Sequence, residues 1–148
     1  MRLVEDTQRD WYHGTPKAFA AFSTAFTSGQ LGIHLGTRDQ AEWRLGDDRG
    51  YILRVHTNVS NLIRLADEGS WYGRAFVEQL RLNPLTTGLK LHDSMSDRAI
   101  RQLLQQNGYD GVIYLNKHEG DEPADSIIVF DAHQLQIVST EPVNDHDQ

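Results

Sequence analysis

Three stretches of this sequence gather side chains able to do chemistry. The first is His13-Gly14-Thr15. An imidazole, a residue whose backbone a ligand can approach closely and a hydroxyl form a compact unit able to hold an amide and a sugar hydroxyl. The same tripeptide also fits a plain turn beside a half-buried histidine. The second is Gly32-Ile33-His34-Leu35-Gly36-Thr37, with Trp43 following. An indole there can stack on a planar heterocycle, or it can simply be the core-facing residue of a helix. The third runs from Asn116 to Asp125, with Ser126 opening the next apolar run; it carries Glu119, Asp121, Glu122 and Asp125. Carboxylates at a strand entrance orient a nucleophile or stabilise a cationic transition state. A solvated acidic turn is the plainer alternative.

The elements that must position these residues follow from pattern and punctuation. Trp11-Tyr12-His13 reads as a short strand stopped by Gly14-Thr15-Pro16, because aromatics favour a pleated surface and Gly-x-Pro ends it. Gly29 to Gly32 reads as a turn feeding a strand at Ile33-His34-Leu35. Thr37 then opens a helix, Gln40 completes a capping box, and Gly46 closes it. Tyr51 to His56 alternates as a strand, extended irregularly from Asn58 to Leu65. Helices are expected from about Trp71 to Leu82 and from Ser96 to about Gln106. Strands at Gly111–Leu115, Ser126–Asp131 and Leu135–Val138 complete a mixed α+β chain. One domain is expected from about residue 8 to 140, with a polar, frayed tail from Glu141 to Gln148.

Composition removes several classes of function. There is no cysteine, hence no disulfide framework, thiolate metal site or cysteine nucleophile. The seven histidines include no i, i+4 pair of the zinc-protease kind, so no metal is expected. No Gly-x-Ser-x-Gly elbow, P-loop or dinucleotide-binding glycine loop occurs. A formal charge of −7 disfavours nucleic acid as a partner, because such binders collect cations on one face. The charged start Met1-Arg2-Leu3-Val4-Glu5-Asp6 and the lack of a long apolar run predict a soluble, cytoplasmic protein without a membrane partner.

Taken in order, Tyr12-His13-Gly14-Thr15, then Gly32 to Thr37 with Ala41-Glu42-Trp43, then Gly108 to Tyr114, then Ser126 to Asp131 resemble the ADP-ribosyltransferase superfamily. The similarity is to the phage and mobile-element type found in polyvalent proteins, on the diphtheria-toxin and poly(ADP-ribose) polymerase side. The resemblance implies a split two-sheet α+β fold with short peripheral helices, and NAD as substrate in the cleft between the sheets.

By that resemblance, His13 bonds the nicotinamide-side ribose, Gly14 clamps the carboxamide, and Trp43 flanks the nicotinamide together with His34, which stands where a tyrosine is usual. The implied ligand-binding set is Tyr12, His13, Gly14, Thr15, Gly32, His34, Trp43 and Ser126. Trp11 and Trp71 are expected to lie away from the ligand. A glutamate usually occupies the place of Ser126, whereas relatives of the polyvalent type pair this Ser with an upstream Asn-x-x-Glu-Gly, here Asn116 to Gly120. The implied catalytic set is therefore His13, His34 and Glu119, with Asp125 the second candidate carboxylate. The expected activity is mono-ADP-ribosylation of a protein target; the alternatives are NAD hydrolysis and an inactive relative that binds a partner, such as a phage-encoded inhibitor.

Overall fold

The computed structural model describes residues 9–23, 31–66, 71 and 73–144. The expected turn at Gly29-Gln30, the charged start through residue 8 and the last four residues of the expected tail lie outside these. The described chain forms strands β1 (Trp11–Thr15) and β2 (Ile33–Leu35), helix α1 (Arg38–Leu45), strands β3 (Gly50–Thr57) and β4 (Leu62–Arg64). Helices α2 (Gly73–Leu82) and α3 (Asp97–Gln106) follow, then β5 (Gly111–Asn116), β6 (Ala124–Val129), a single 3₁₀ turn (Ala132–Gln134) and β7 (Leu135–Val143).

The strands divide into two sheets. One has the order β1-β3-β7 and is antiparallel throughout. The other has the order β2-β6-β5-β4, and only its β4–β5 pair is parallel. That parallel pair is joined through α2 and α3, as a crossover connection requires. This is the α+β, two-sheet architecture with short helices that the sequence predicted.

Residue parity decides what each face meets. Ile33, Leu35, Ile113, Ile127 and Val129 of the four-stranded sheet pack against Trp11, Leu53 and Val55 of the other, forming the layer between sheets. The alternate positions Val112, Tyr114, Ile128 and Phe130 face Phe76, Val77 and Leu80 of α2 and Ile100 and Leu104 of α3. His34 and Ser126 share the parity of Ile128 and Tyr114, whereas Asp125 shares that of Ile127.

Helix α1 is different, since only Gln40 and Ala41 are buried on it. Its start is fixed locally: Thr37 Oγ1 accepts from Gln40 N, and Gln40 Oε1 accepts from Thr37 N, a capping box worth about 1 kcal/mol. Its position depends on Gly14, where a Cβ would stand 2.7 Å from the Ala41 carbonyl oxygen. The helix therefore lies directly on β1.

Two expectations about extent are corrected. Leu62–Arg64 is a strand of the second sheet rather than an irregular extension of β3. The last strand continues past residue 140, with Ile52 opposite Glu141 and Gly50 opposite Val143. Among the described residues, no helix is long and apolar enough to cross a membrane.

Candidate functional site

Among the described residues the two sheets are joined by a backbone bridge between Tyr12 and Gly36. Tyr12 N donates to Gly36 O at 2.8 Å, and Gly36 N donates to Tyr12 O at 2.9 Å. Beside this bridge His13 Nδ1 lies 2.7 Å from the His34 carbonyl oxygen. A carbonyl can only accept, so the proton sits on Nδ1 and the neutral ring keeps Nε2 as an acceptor. The ring is braced edge-on by Phe22, with centroids 5.2 Å apart. Burial lowers the His13 pKa; its bond to the His34 carbonyl opposes this and the charge of Arg44 adds to it. Burial, then Arg44, then His13 push the His34 pKa down to about 4. At neutral pH His34 is therefore an uncharged ring.

A chain of buried polar side chains runs along the floor of this region. Gln40 Nε2 donates to Ala124 O at 3.0 Å, which fixes its amide. Its Oε1 accepts from Ser126 Oγ at 2.7 Å. Asn116 Nδ2 donates to Ser126 Oγ at 3.1 Å and to Glu119 Oε1 at 2.9 Å, while Asn116 Oδ1 accepts from the backbone N–H groups of His118 and Glu119. Gln40, Asn116 and Ser126 are all nearly inaccessible to solvent. Losing one member would leave its neighbours unsatisfied, at about 1–3 kcal/mol each.

The chain ends on Glu119, whose loop is held from outside as well. Asp39 Oδ2 accepts from Asp121 N at 2.5 Å. Gly120 has φ 87°, a left-handed conformation that favours glycine. Glu119 Oε2 lies 3.7 Å from Arg44 Nε. The acidic loop is thus folded inward at Glu119.

Two adjoining cavities share His34, Arg44, Tyr114 and Glu119. The inner one is a slot of about 20 Å³ lined also by Tyr12, His13, Gly14, Gln40 and Ser126. The outer one is about 310 Å³ and is flanked by Trp43, Trp71, Asn116 and His118. Trp43 is 55% exposed, so it is a cavity wall and not a core residue. An acceptor histidine, a neutral imidazole, two indoles and one carboxylate suit a planar ring joined to a sugar.

The structure brings together Tyr12, His13, Gly14, His34, Trp43, Glu119 and Ser126, and it places three predicted residues elsewhere. Thr15 Oγ1 donates to Lys17 O at 3.0 Å and closes its own turn. Gly32 is needed for packing, since a Cβ would lie 2.5 Å from Val129 O, and it lines neither cavity. Asp125 sits on the other face of β6, where both of its carboxylate oxygens accept from Arg64 at 2.9 Å.

Two of the residues in the cleft also hold the fold together: Gly14 admits α1, and the Ser126 hydroxyl is engaged by Gln40 and Asn116. Trp71, expected to be remote, flanks the outer cavity and lies 4.5 Å from the Tyr114 ring, centroid to centroid. Arg44 and Tyr114 were not foreseen as site residues. The alternation of β5, which sets Tyr114 opposite Ser126, was a signal for the tyrosine; nothing in the sequence marked Arg44.

Fold and site together define a split-sheet α+β protein of the ADP-ribosyltransferase type, with its polar cleft where the two sheets join. The chain belongs to the family described as ADP-ribosyltransferase in polyvalent proteins, which matches residues 9–144. A solved structure described as "Crystal structure of an anti-CRISPR protein" is similar over 91% of this chain and 95% of its own, with 9% sequence identity and a TM-score of 0.40. No curated protein matches.

Proposed function

We propose that the cleft binds the nicotinamide end of NAD and that the protein transfers the ADP-ribosyl group to a protein target, in a bacterial or phage-host setting. The observation that carries this reading is the position of Glu119. Among the described residues it is the one carboxylate lining either cavity, and Asn116 aims it from a fully buried anchor. The outer cavity, about 310 Å³, is at the small end of ligand sites, which start near ~300 Å³. It suits a nicotinamide and its ribose, with the adenosine end of the dinucleotide outside.

The chemistry asks little of the chain. The bond between ribose C1′ and the nicotinamide ring nitrogen breaks, nicotinamide leaves as a neutral base with the bonding pair, and C1′ becomes cationic in character. The Glu119 carboxylate stabilises that charge, as carboxylates do in glycosyl transfer. An acceptor nucleophile then forms its bond to C1′ and loses its proton. His13 Nε2 accepts from a ribose hydroxyl, and the neutral His34 ring with Trp43 and Trp71 confines the planar base.

Incubation of the protein with NAD labelled in its adenylate half and a bacterial lysate tests the proposal. A labelled macromolecule is expected. Free labelled ADP-ribose alone would replace transfer with hydrolysis. A second reading, partner binding without turnover, is favoured by the serine locked into the buried chain at position 126; unchanged NAD would select it.

A further inference from the structure

We propose that Arg44 is the diphosphate-recognition residue of the cleft, the group that selects an ADP-ribosyl ligand over nicotinamide alone. This inference rests on the NAD reading above and extends it. Arg44 lines both cavities, and among the described residues it is the one Arg or Lys that lines either.

A dinucleotide entering this cleft brings two phosphate charges toward the carboxylate of Glu119, in a chain whose formal charge is −7. A cation is needed to compensate. Arg44 is shared by the walls of the inner slot and the outer cavity, and its side chain is 50% exposed. It is held loosely: its described partner is Glu119 at 3.7 Å, too long for a hydrogen bond. A planar guanidinium gains far more from a paired, charge-assisted fork onto phosphate oxygens than from that single contact. The last turn of α1 places it, and α1 is anchored at its other end by the Thr37–Gln40 box. The stem is fixed while the head is able to change partner.

Tryptophan fluorescence titration of the full chain with ADP-ribose, and separately with nicotinamide, tests this. Arg44→Gln should raise the Kd for ADP-ribose about tenfold or more while nicotinamide binding stays within about twofold. Arg44→Lys should recover part of the loss, because charge is kept and the fork is not. The ADP-ribose affinity of Arg44→Gln should also depend less on salt than that of the wild type.

The inference is overturned if Arg44→Gln binds ADP-ribose like the wild type. It is also overturned if both ligands weaken in parallel, which would make Arg44 a structural residue. Wild-type protein that binds neither ligand would remove the NAD reading and this inference with it. Wild-type protein that binds both, with Arg44→Gln indifferent, would remove this inference alone.

Discussion

Replacing Glu119 by Gln removes one charge and little else. The Asn116 amide N–H that donates to Glu119 Oε1 at 2.9 Å can donate equally well to the glutamine carbonyl oxygen, so the loop and the floor of the cleft should keep their shape. The lost interaction is between a carboxylate and a C1′ that becomes cationic only as the glycosidic bond breaks. Two unit charges about 4 Å apart at an effective dielectric of ~20 interact by about 4 kcal/mol. C1′ carries only part of a unit charge in the transition state, which leaves about 3 kcal/mol, or on the order of a hundredfold in rate. The charge develops after binding, so the Kd for NAD should move little.

The assay is turnover of labelled NAD at saturating concentration, with Kd measured separately. Asp125→Asn is the matched control. Asp125 is bonded at 2.9 Å through both oxygens to Arg64 on the face of β6 turned from the cleft, and the pair is partly solvated. Its replacement should cost on the order of 1 kcal/mol, a few degrees in melting temperature, with turnover retained. Full activity in Glu119→Gln would refute the assignment, and loss of activity in Asp125→Asn alone would move it to the other carboxylate.

His13→Ala should keep a cooperative melt, lowered by about 1–2 kcal/mol for the lost bond to His34 and the contact with Phe22, while NAD turnover falls by more than about tenfold; unchanged turnover would show that His13 only packs. The fluorescence change on adding NAD should shrink in Trp43→Phe, shrink in Trp71→Phe and vanish only when both are replaced, since both rings wall the outer cavity while Trp11 is fully buried. A double variant with the full response would place the ligand elsewhere. Stability should fall with acid in a defined window. His34 has an ordinary value of 6.5 and a folded value of about 4, so between these the unfolded chain binds a proton that the folded one does not. Melting temperature should therefore drop as pH falls from about 6.5 to about 4, His13 acting in the same direction. A flat profile through that window would show that folding does not hold the His34 ring in its neutral form.

What was legible in the sequence is what short-range chemistry decides. The Thr37–Gln40 box needs three residues and no tertiary partner, and it is present as expected. Strands β1, β2, β3, β5 and β6 announce themselves by alternation or apolar runs between glycines. Strand β4 does not, because three residues, Leu62–Arg64, become a strand only by pairing with β5 from across α2 and α3. Trp43 and Asp125 show the same limit. An indole on a short helix is read as core or cavity wall only once the helix has a seat, and α1 obtains its seat from Gly14 on a different strand. The parity separating Ser126 from Asp125 is visible in the sequence; which parity meets the cleft depends on where α1, α2 and α3 pack.

The serine at 126 and the glutamate at 119 are linked by space as well as by hydrogen bonds. Ser126 is nearly inaccessible and is enclosed on three sides: Gln40 Oε1 at 2.7 Å, Asn116 Nδ2 at 3.1 Å, and Gly36, where even a methyl carbon would come within 3.2 Å of its hydroxyl. A glutamate, usual at this position in the wider superfamily, adds three heavy atoms and a charge for which this pocket has no room. Accommodating it would displace Gln40, and with it the start of α1, or Asn116, and with it the turn that holds Glu119. Overpacking of that kind costs about 1–3 kcal/mol before the buried charge is counted. Ser126→Glu should therefore not restore a strand-borne carboxylate to the cleft. It should lower the melting temperature and turnover together, because the residue that enters breaks the chain that aims Glu119. A Ser126→Glu, Glu119→Gln double variant that regains wild-type turnover with an intact melt would refute this coupling, since position 126 would then be able to supply the carboxylate by itself.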